Sequence, residues 1–121
     1  MSNKKRIGVD VDGVLADFVF AFTSLAYEVG VTENIYGTDK QEDWKFPFEK
    51  GPVWKAWKDN MNHWMTLEPL VSDYDLAELN KLIVKHDVYF ITTRASTRGL
   101  NAERQTDYWL RGIGVDAEHA Y

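Results

Sequence analysis

Apolar and polar positions alternate from Lys5 to Val11, with Ile7, Val9 and Val11 on one side and Gly8 between them, which predicts a β-strand. A tight turn follows at Asp12-Gly13. From Val14 to Val29 the apolar residues Leu15, Phe18, Val19, Phe22, Leu25, Ala26 and Val29 recur at helical spacing, and Gly30 marks a stop. The pattern then loses its period. Thr32 to Pro69 carries Trp44, Trp54, Trp57 and Trp64, and is cut into short pieces by Pro47, Gly51 and Pro52. It reads as a small helical insertion with a helix from Pro52 to about Met61. Helical spacing returns from Asp73 to Lys85, with Leu76, Leu79, Leu82 and Ile83 on one side and Ser72 or Asp73 as the cap. A continuous apolar run, Val88 to Ile91, predicts a strand covered on both faces and ends at Thr92-Thr93-Arg94. A last helix is expected from Leu100 to Arg111, stopping near Gly112. No internal repeat is visible.

Strand, helix, insertion, helix, strand, helix is an α/β order, which implies parallel strands joined by crossovers. Ligands of such sheets bind beyond the carboxyl ends of the strands. The two polar clusters, Asp10-Val11-Asp12-Gly13 and Thr92-Thr93-Arg94, both fall at those ends. Far apart in sequence, they are expected side by side in the fold.

The 121 residues, 45% of them hydrophobic, suffice for one core and not for two. A formal net charge of −5 excludes the basic footprint of a protein that wraps a nucleic-acid polymer. An acidic chain that handles an anionic substrate needs a local positive site from metal, backbone N–H groups or a placed Arg. The absence of cysteine removes disulfides, thiolate metal sites and cysteine nucleophiles. Met1 to Arg6 is polar and basic, and Asp10, Asp12 and Asp17 interrupt the apolar stretch behind it. Neither a signal peptide nor a membrane span is indicated, and a cytoplasmic protein is expected.

The candidate chemistry follows from the clusters. Asp10 is placed to attack phosphorus and form an aspartyl-phosphate, while Asp12, at the turn, protonates the leaving oxygen and later activates water. A hard oxygen-binding cation, Mg²⁺, would screen attack by one anion on another. Gly13 lets the backbone approach a phosphate closely. Thr92 and Thr93 offer hydroxyl and N–H groups to phosphate oxygens, although a strand exit that caps itself has the same letters. Arg94 either grips a phosphate or pairs with an acidic neighbour. An acidic turn after a strand also reads DxDG, and so do calcium loops. An EF-hand is excluded because the twelfth position of a loop starting at Asp10 is Ala21, where a Glu is required. The tryptophans are read mainly as packing.

The run Ile7-Gly8-Val9-Asp10-Val11-Asp12-Gly13-Val14-Leu15-Ala16-Asp17-Phe18 resembles the first motif of the haloacid dehalogenase superfamily. Its DGVLADF portion is similar to the 5′(3′)-deoxyribonucleotidase family and its phage and bacterial relatives. Tyr89-Phe90-Ile91-Thr92 resembles the superfamily's second motif, and Leu67-Glu68-Pro69 resembles the return from cap to core. The resemblance implies an incomplete Rossmann-like α/β core over residues 1–31 and 70–121, with parallel strands and a helical cap inserted at 32–69. It implies Asp10 as nucleophile and metal ligand, and Asp12 as acid–base group giving the metal its backbone carbonyl. Thr92 and the Thr93 N–H would hold the phosphate, and Phe18 and Trp64 match positions that face the base. The implied activity is Mg²⁺-dependent hydrolysis of a phosphate monoester, a (deoxy)nucleoside 5′-monophosphate.

The pattern departs from the family in three places. The third-motif Lys and the fourth-motif acidic pair have no counterpart before Tyr121, and the Gly that follows the Pro of the cap return is replaced by Leu70-Val71-Ser72. The alternative expectation is therefore a truncated or split, non-catalytic piece that self-associates or binds a complementary chain completing the sheet. A phosphotransferase or dehalogenase would share Asp10, but Asp12 favours phosphoryl chemistry.

Overall fold

The structure, a computed structural model, describes residues 4–33, 46 and 48–116. Its elements run β1 (Arg6–Asp10), α1 (Phe18–Glu28), α2 (Gly51–Asp59), a 3₁₀ turn (His63–Thr66), α3 (Asp73–Lys85), β2 (Asp87–Ile91) and α4 (Ala102–Ile113). Among the described residues the architecture is mixed α/β, four helices and a two-stranded parallel sheet. Arg6 pairs with Asp87 and Asp10 with Ile91, so the two strands end in register. One further bond, Val11 N–H to Ile91 C=O at 3.2 Å, carries the ladder to the edge of the polar clusters. Trp44, Pro47 and most of the stretch between Thr32 and Phe46 lie outside the described residues.

α3 spans the predicted residues, and Ser72 caps it by accepting from the Asp75 N–H at 3.1 Å. Its Leu79 and Ile83 are buried, whereas Leu82 is 40% exposed and does not join the packed side. α1 begins four residues later than the apolar spacing predicts. Val14 to Asp17 find partners elsewhere: Leu15 and Ala16 N–H both donate to the Val11 carbonyl at 2.9 Å, and Gly13 N–H donates to Ala16 C=O at 2.9 Å. The same loop is stitched to the chain returning from α2, through Asp17 N–H to Glu68 C=O at 2.8 Å and Leu70 N–H to Leu15 C=O at 2.7 Å. Asp17 then caps α1 by accepting from Phe20 N–H. Asp12-Gly13 is thus the start of a wound loop, and Gly13 holds φ +84°, a left-handed value that a side chain disfavours.

α2 starts at Gly51, with Pro52 in its first turn, and ends at Asp59, two residues before the expected Met61. α4 starts two residues later than expected, where Asn101 accepts from Arg104 N–H. It passes through Gly112 and closes at Gly114, whose N–H bonds Arg111 C=O while Val115 N–H reaches Leu110 C=O at 2.9 Å.

One hydrophobic cluster joins Val11, Leu15, Phe18, Phe22 and Leu25 to Val53, Trp57 and Trp64, and to Ile83, Val88, Trp109 and Leu110. Burying each such aliphatic or Phe side chain contributes about 1.5–3 kcal/mol. β2 is less enclosed than its continuous apolar run predicts. Val88 is fully buried but Ile91, three residues on and so on the opposite face at the strand end, is 55% exposed. No helix among the described residues is long and apolar enough to cross a membrane.

Candidate functional site at the strand ends

The parallel register brings both polar clusters together, and a cavity of about 330 Å³ opens there. It is lined by Asp10, Asp12, Ile91, Thr92 and Thr93 at the strand ends and by Phe18, Trp54 and Trp64 opposite them. Asp10, the last residue of β1, is exposed, and its carboxylate accepts no hydrogen bond among the described residues. Asp12 is differently placed. Its Oδ1 accepts from Arg94 Nη2 at 2.6 Å, and its Oδ2 accepts from Arg94 Nε at 3.1 Å and from Thr92 Oγ1 at 3.0 Å. The Arg94 side chain is 1% exposed, and its remaining nitrogen, Nη1, donates to Thr106 Oγ1 at 2.9 Å. Its guanidinium also lies 4.5 Å from the Trp64 ring centroid.

Arg94 pairs with an acidic neighbour, Asp12; the Arg94 side chain is buried and that of Asp12 is 18% exposed. Gly13 does not line the cavity, and its N–H is taken by Ala16 C=O. Thr93 lines the cavity and is exposed, whereas the Thr92 hydroxyl lines it while donating to Asp12. Among the described residues no Lys or Arg lines this cavity.

The wall opposite is aromatic. Phe18 stacks near Trp64 with centroids 5.8 Å apart and meets Trp54 at 5.7 Å. Trp57, wholly buried, backs all three. Trp64 is held firmly: its Nε1 donates to Ala95 C=O at 2.8 Å and its backbone N–H to Gln105 Oε1 at 3.0 Å. Gln105 is itself fully buried and donates through Nε2 to Thr97 Oγ1 and Leu100 C=O. Beside this wall His63 sits edge-on to Trp57 at 4.3 Å, and neither His63 Nε2 nor Trp57 Nε1 has a hydrogen-bond partner among the described residues. Burial pushes the His63 pKa below its usual 6.5, against a smaller upward pull from Glu28.

Three contributors escaped sequence reading: Trp54 on the wall, and Thr106 and Gln105 behind it. Trp54 sits three residues before Trp57 on α2, a spacing that reads as packing for both. Gln105 and Thr106 are ordinary polar letters in a helix, and no sequence signal marks them.

A hard cation such as Mg²⁺ takes one or two carboxylates and completes its shell with water and substrate phosphate. Asp10 fits that description, and the Asp12 backbone carbonyl is a second oxygen close by in sequence. The Asp12 carboxylate is already engaged, and no group of three His, Cys, Asp or Glu side chains able to hold a metal ion occurs among the described residues. The donors therefore fit an ion shared with a bound phosphate, not one caged by protein alone.

Compared with known proteins, the chain matches no family model, and no curated protein matches it.

Proposed function

We propose that the strand-end cavity hydrolyses phosphate monoesters, with Asp10 as the nucleophile. The observation that carries this reading is the grouping, in one cavity, of an exposed carboxylate with no partner among the described residues, two threonines and an aromatic wall. In the first step an Asp10 carboxylate oxygen bonds to phosphorus, the ester P–O bond breaks, and the leaving oxygen takes a proton from Asp12 in its carboxylic-acid form, which leaves the Asp12 carboxylate that Arg94 holds. In the second, Asp12 takes a proton from water, the water oxygen attacks the aspartyl-phosphate, and orthophosphate leaves Asp10 regenerated. Thr93, exposed at the cavity, offers its N–H to the phosphate. Mg²⁺, held by Asp10 and the Asp12 carbonyl, would supply the positive charge that no side chain lining the cavity provides among the described residues. Phe18 and Trp64, themselves buried, back the half-buried Trp54, so the wall offers a planar apolar group one partly open aromatic face, which favours nucleotide-like esters over small aliphatic ones.

Within that class, the reading is of a haloacid dehalogenase superfamily phosphatase of the 5′(3′)-deoxyribonucleotidase-like branch, with residues 32–69 as its cap. The motif Asp10-Val11-Asp12-Gly13 at the end of β1, beside Thr92 at the end of β2, supports it. The test is phosphate release from deoxyribo- and ribonucleoside monophosphates, with Mg²⁺ or chelator, beside Asp10→Asn. Release that needs the metal and disappears in the variant is expected.

One observation favours a second reading. Neither a cation nor a third acidic ligand faces the cavity among the described residues, which suits a binding piece whose site is completed by another copy or another chain. No release from any ester at any protein concentration would select that reading.

A further inference from the structure

We infer that Arg94 is a positioning residue for Asp12 and does not touch the substrate phosphate. The role given to Asp12 rests on the phosphatase reading, but the Arg94–Asp12 pairing itself does not. All three guanidinium nitrogens of Arg94 are engaged: Nε and Nη2 fork onto the two oxygens of Asp12, and Nη1 bonds Thr106 on α4. The side chain is 1% exposed, and Arg94 is not among the residues lining the cavity that holds Asp10. It borders instead a cavity of about 650 Å³ between β2 and α4, shared with Thr92, Thr106 and Leu110. Arg94 therefore meets Asp12 without lining the cavity that Asp10 lines.

The consequence is geometric. A carboxylate gripped by a planar fork cannot rotate, because turning it breaks two charge-assisted bonds at once. Thr92 Oγ1 fixes the same Oδ2 from the neighbouring strand end. The fork is itself anchored on two further elements, α4 through Thr106 and the aromatic wall through Trp64, whose ring faces the guanidinium. Asp12 is thus held in register with both the strand ends and the wall. Lysine could keep the charge but not the fork.

A phosphate ligand and a positioning residue behave differently under substitution. For Arg94→Lys the inference expects kcat lowered about tenfold or more with KM changed less than about threefold. It also expects orthophosphate to bind the variant, with Mg²⁺ present, within about threefold of wild type by calorimetry. A rise of about tenfold in KM and in the orthophosphate Kd, at unchanged kcat, would overturn it. Two measurements do not depend on turnover. In the wild-type protein the Arg94 Nε–H resonance should be protected from exchange and unmoved at saturating orthophosphate; a rapidly exchanging or strongly displaced resonance contradicts the assignment. A thermal double-mutant cycle over Arg94→Lys and Asp12→Asn should show coupling, and additive effects would remove the pairing on which the inference stands. If wild-type protein neither hydrolyses esters nor binds orthophosphate, the phosphatase reading fails, and the resonance and the cycle still decide the pairing.

Discussion

Asp10 and Asp12 stand two residues apart on the same strand end, yet they occupy opposite physical situations. Asp10 is exposed, faces the cavity and accepts no hydrogen bond among the described residues. Asp12 accepts three, from a buried Arg94 and from Thr92, and is tied through them to β2 and α4. The difference arises from the loop at Gly13, which winds the backbone around the Val11 carbonyl immediately after Asp10 leaves the ladder. Under the proposed function, a carboxylate without a partner among the described residues would serve as the nucleophile, and a clamped one would act from a fixed position.

The comparison is broken most severely at Asp10. Asp10→Asn should lower phosphate release by about a thousandfold or more, while shifting unfolding free energy by no more than about 0.5 kcal/mol, because the side chain is exposed. Activity assays beside denaturant titrations check both halves. Arg94→Ala should do the reverse on stability. Leaving Asp12 without its partner is expected to cost about 3–5 kcal/mol, read as a lowered denaturation midpoint.

The loop that carries Arg94 is pinned further on, where Asn62 Oδ1 accepts from Leu100 N–H at 2.7 Å and Asn62 N–H donates to Arg98 C=O at 2.8 Å. Gly99 sits there at φ +96°, and a Cβ would collide with the Asn62 side chain. Gly99→Ala should therefore destabilise by about 1–3 kcal/mol and loosen the Arg94 side, which thermal unfolding would register.

The smallest effect concerns the aromatic wall. Because burial lowers the pKa of His63, the unfolded chain binds the extra proton first as pH falls through 6.5. Stability should be at its full value above that pH and decline below it. His63→Phe should flatten that slope in unfolding measured across pH, and an unchanged slope would assign it to other groups.

Much of this was legible in the sequence where a local rule and the tertiary structure agree. α3 has a serine cap and apolar residues at helical spacing, and its bounds follow from those features. The meeting of Asp10-Asp12 with Thr92-Arg94 was likewise legible, since parallel strands in register must end together. The start of α1 was not. Val14 and Leu15 keep the helical period, but their backbone groups bind the Val11 carbonyl and the Pro69 segment, a choice made by residues more than fifty positions away. Arg94 shows the same limit at the site: its letter allows phosphate or carboxylate, and its contacts with Asp12, Thr106 and Trp64 come from elements that its local sequence does not specify. The sequence predicts a stop of α4 near Gly112, and the reach of Val115 N–H to the Leu110 carbonyl places it at Gly114 instead.

The most direct test of the division between the two acids is to trap the covalent intermediate. Protein turning over a nucleoside monophosphate with Mg²⁺ would be quenched and treated with borohydride, which reduces an aspartyl-phosphate to homoserine, and the modified position located by peptide mass spectrometry. Homoserine at position 10, with Asp12 intact, is the predicted result. Modification at position 12, or phosphate release with neither position modified, would contradict the assignment of Asp10 as the free nucleophile.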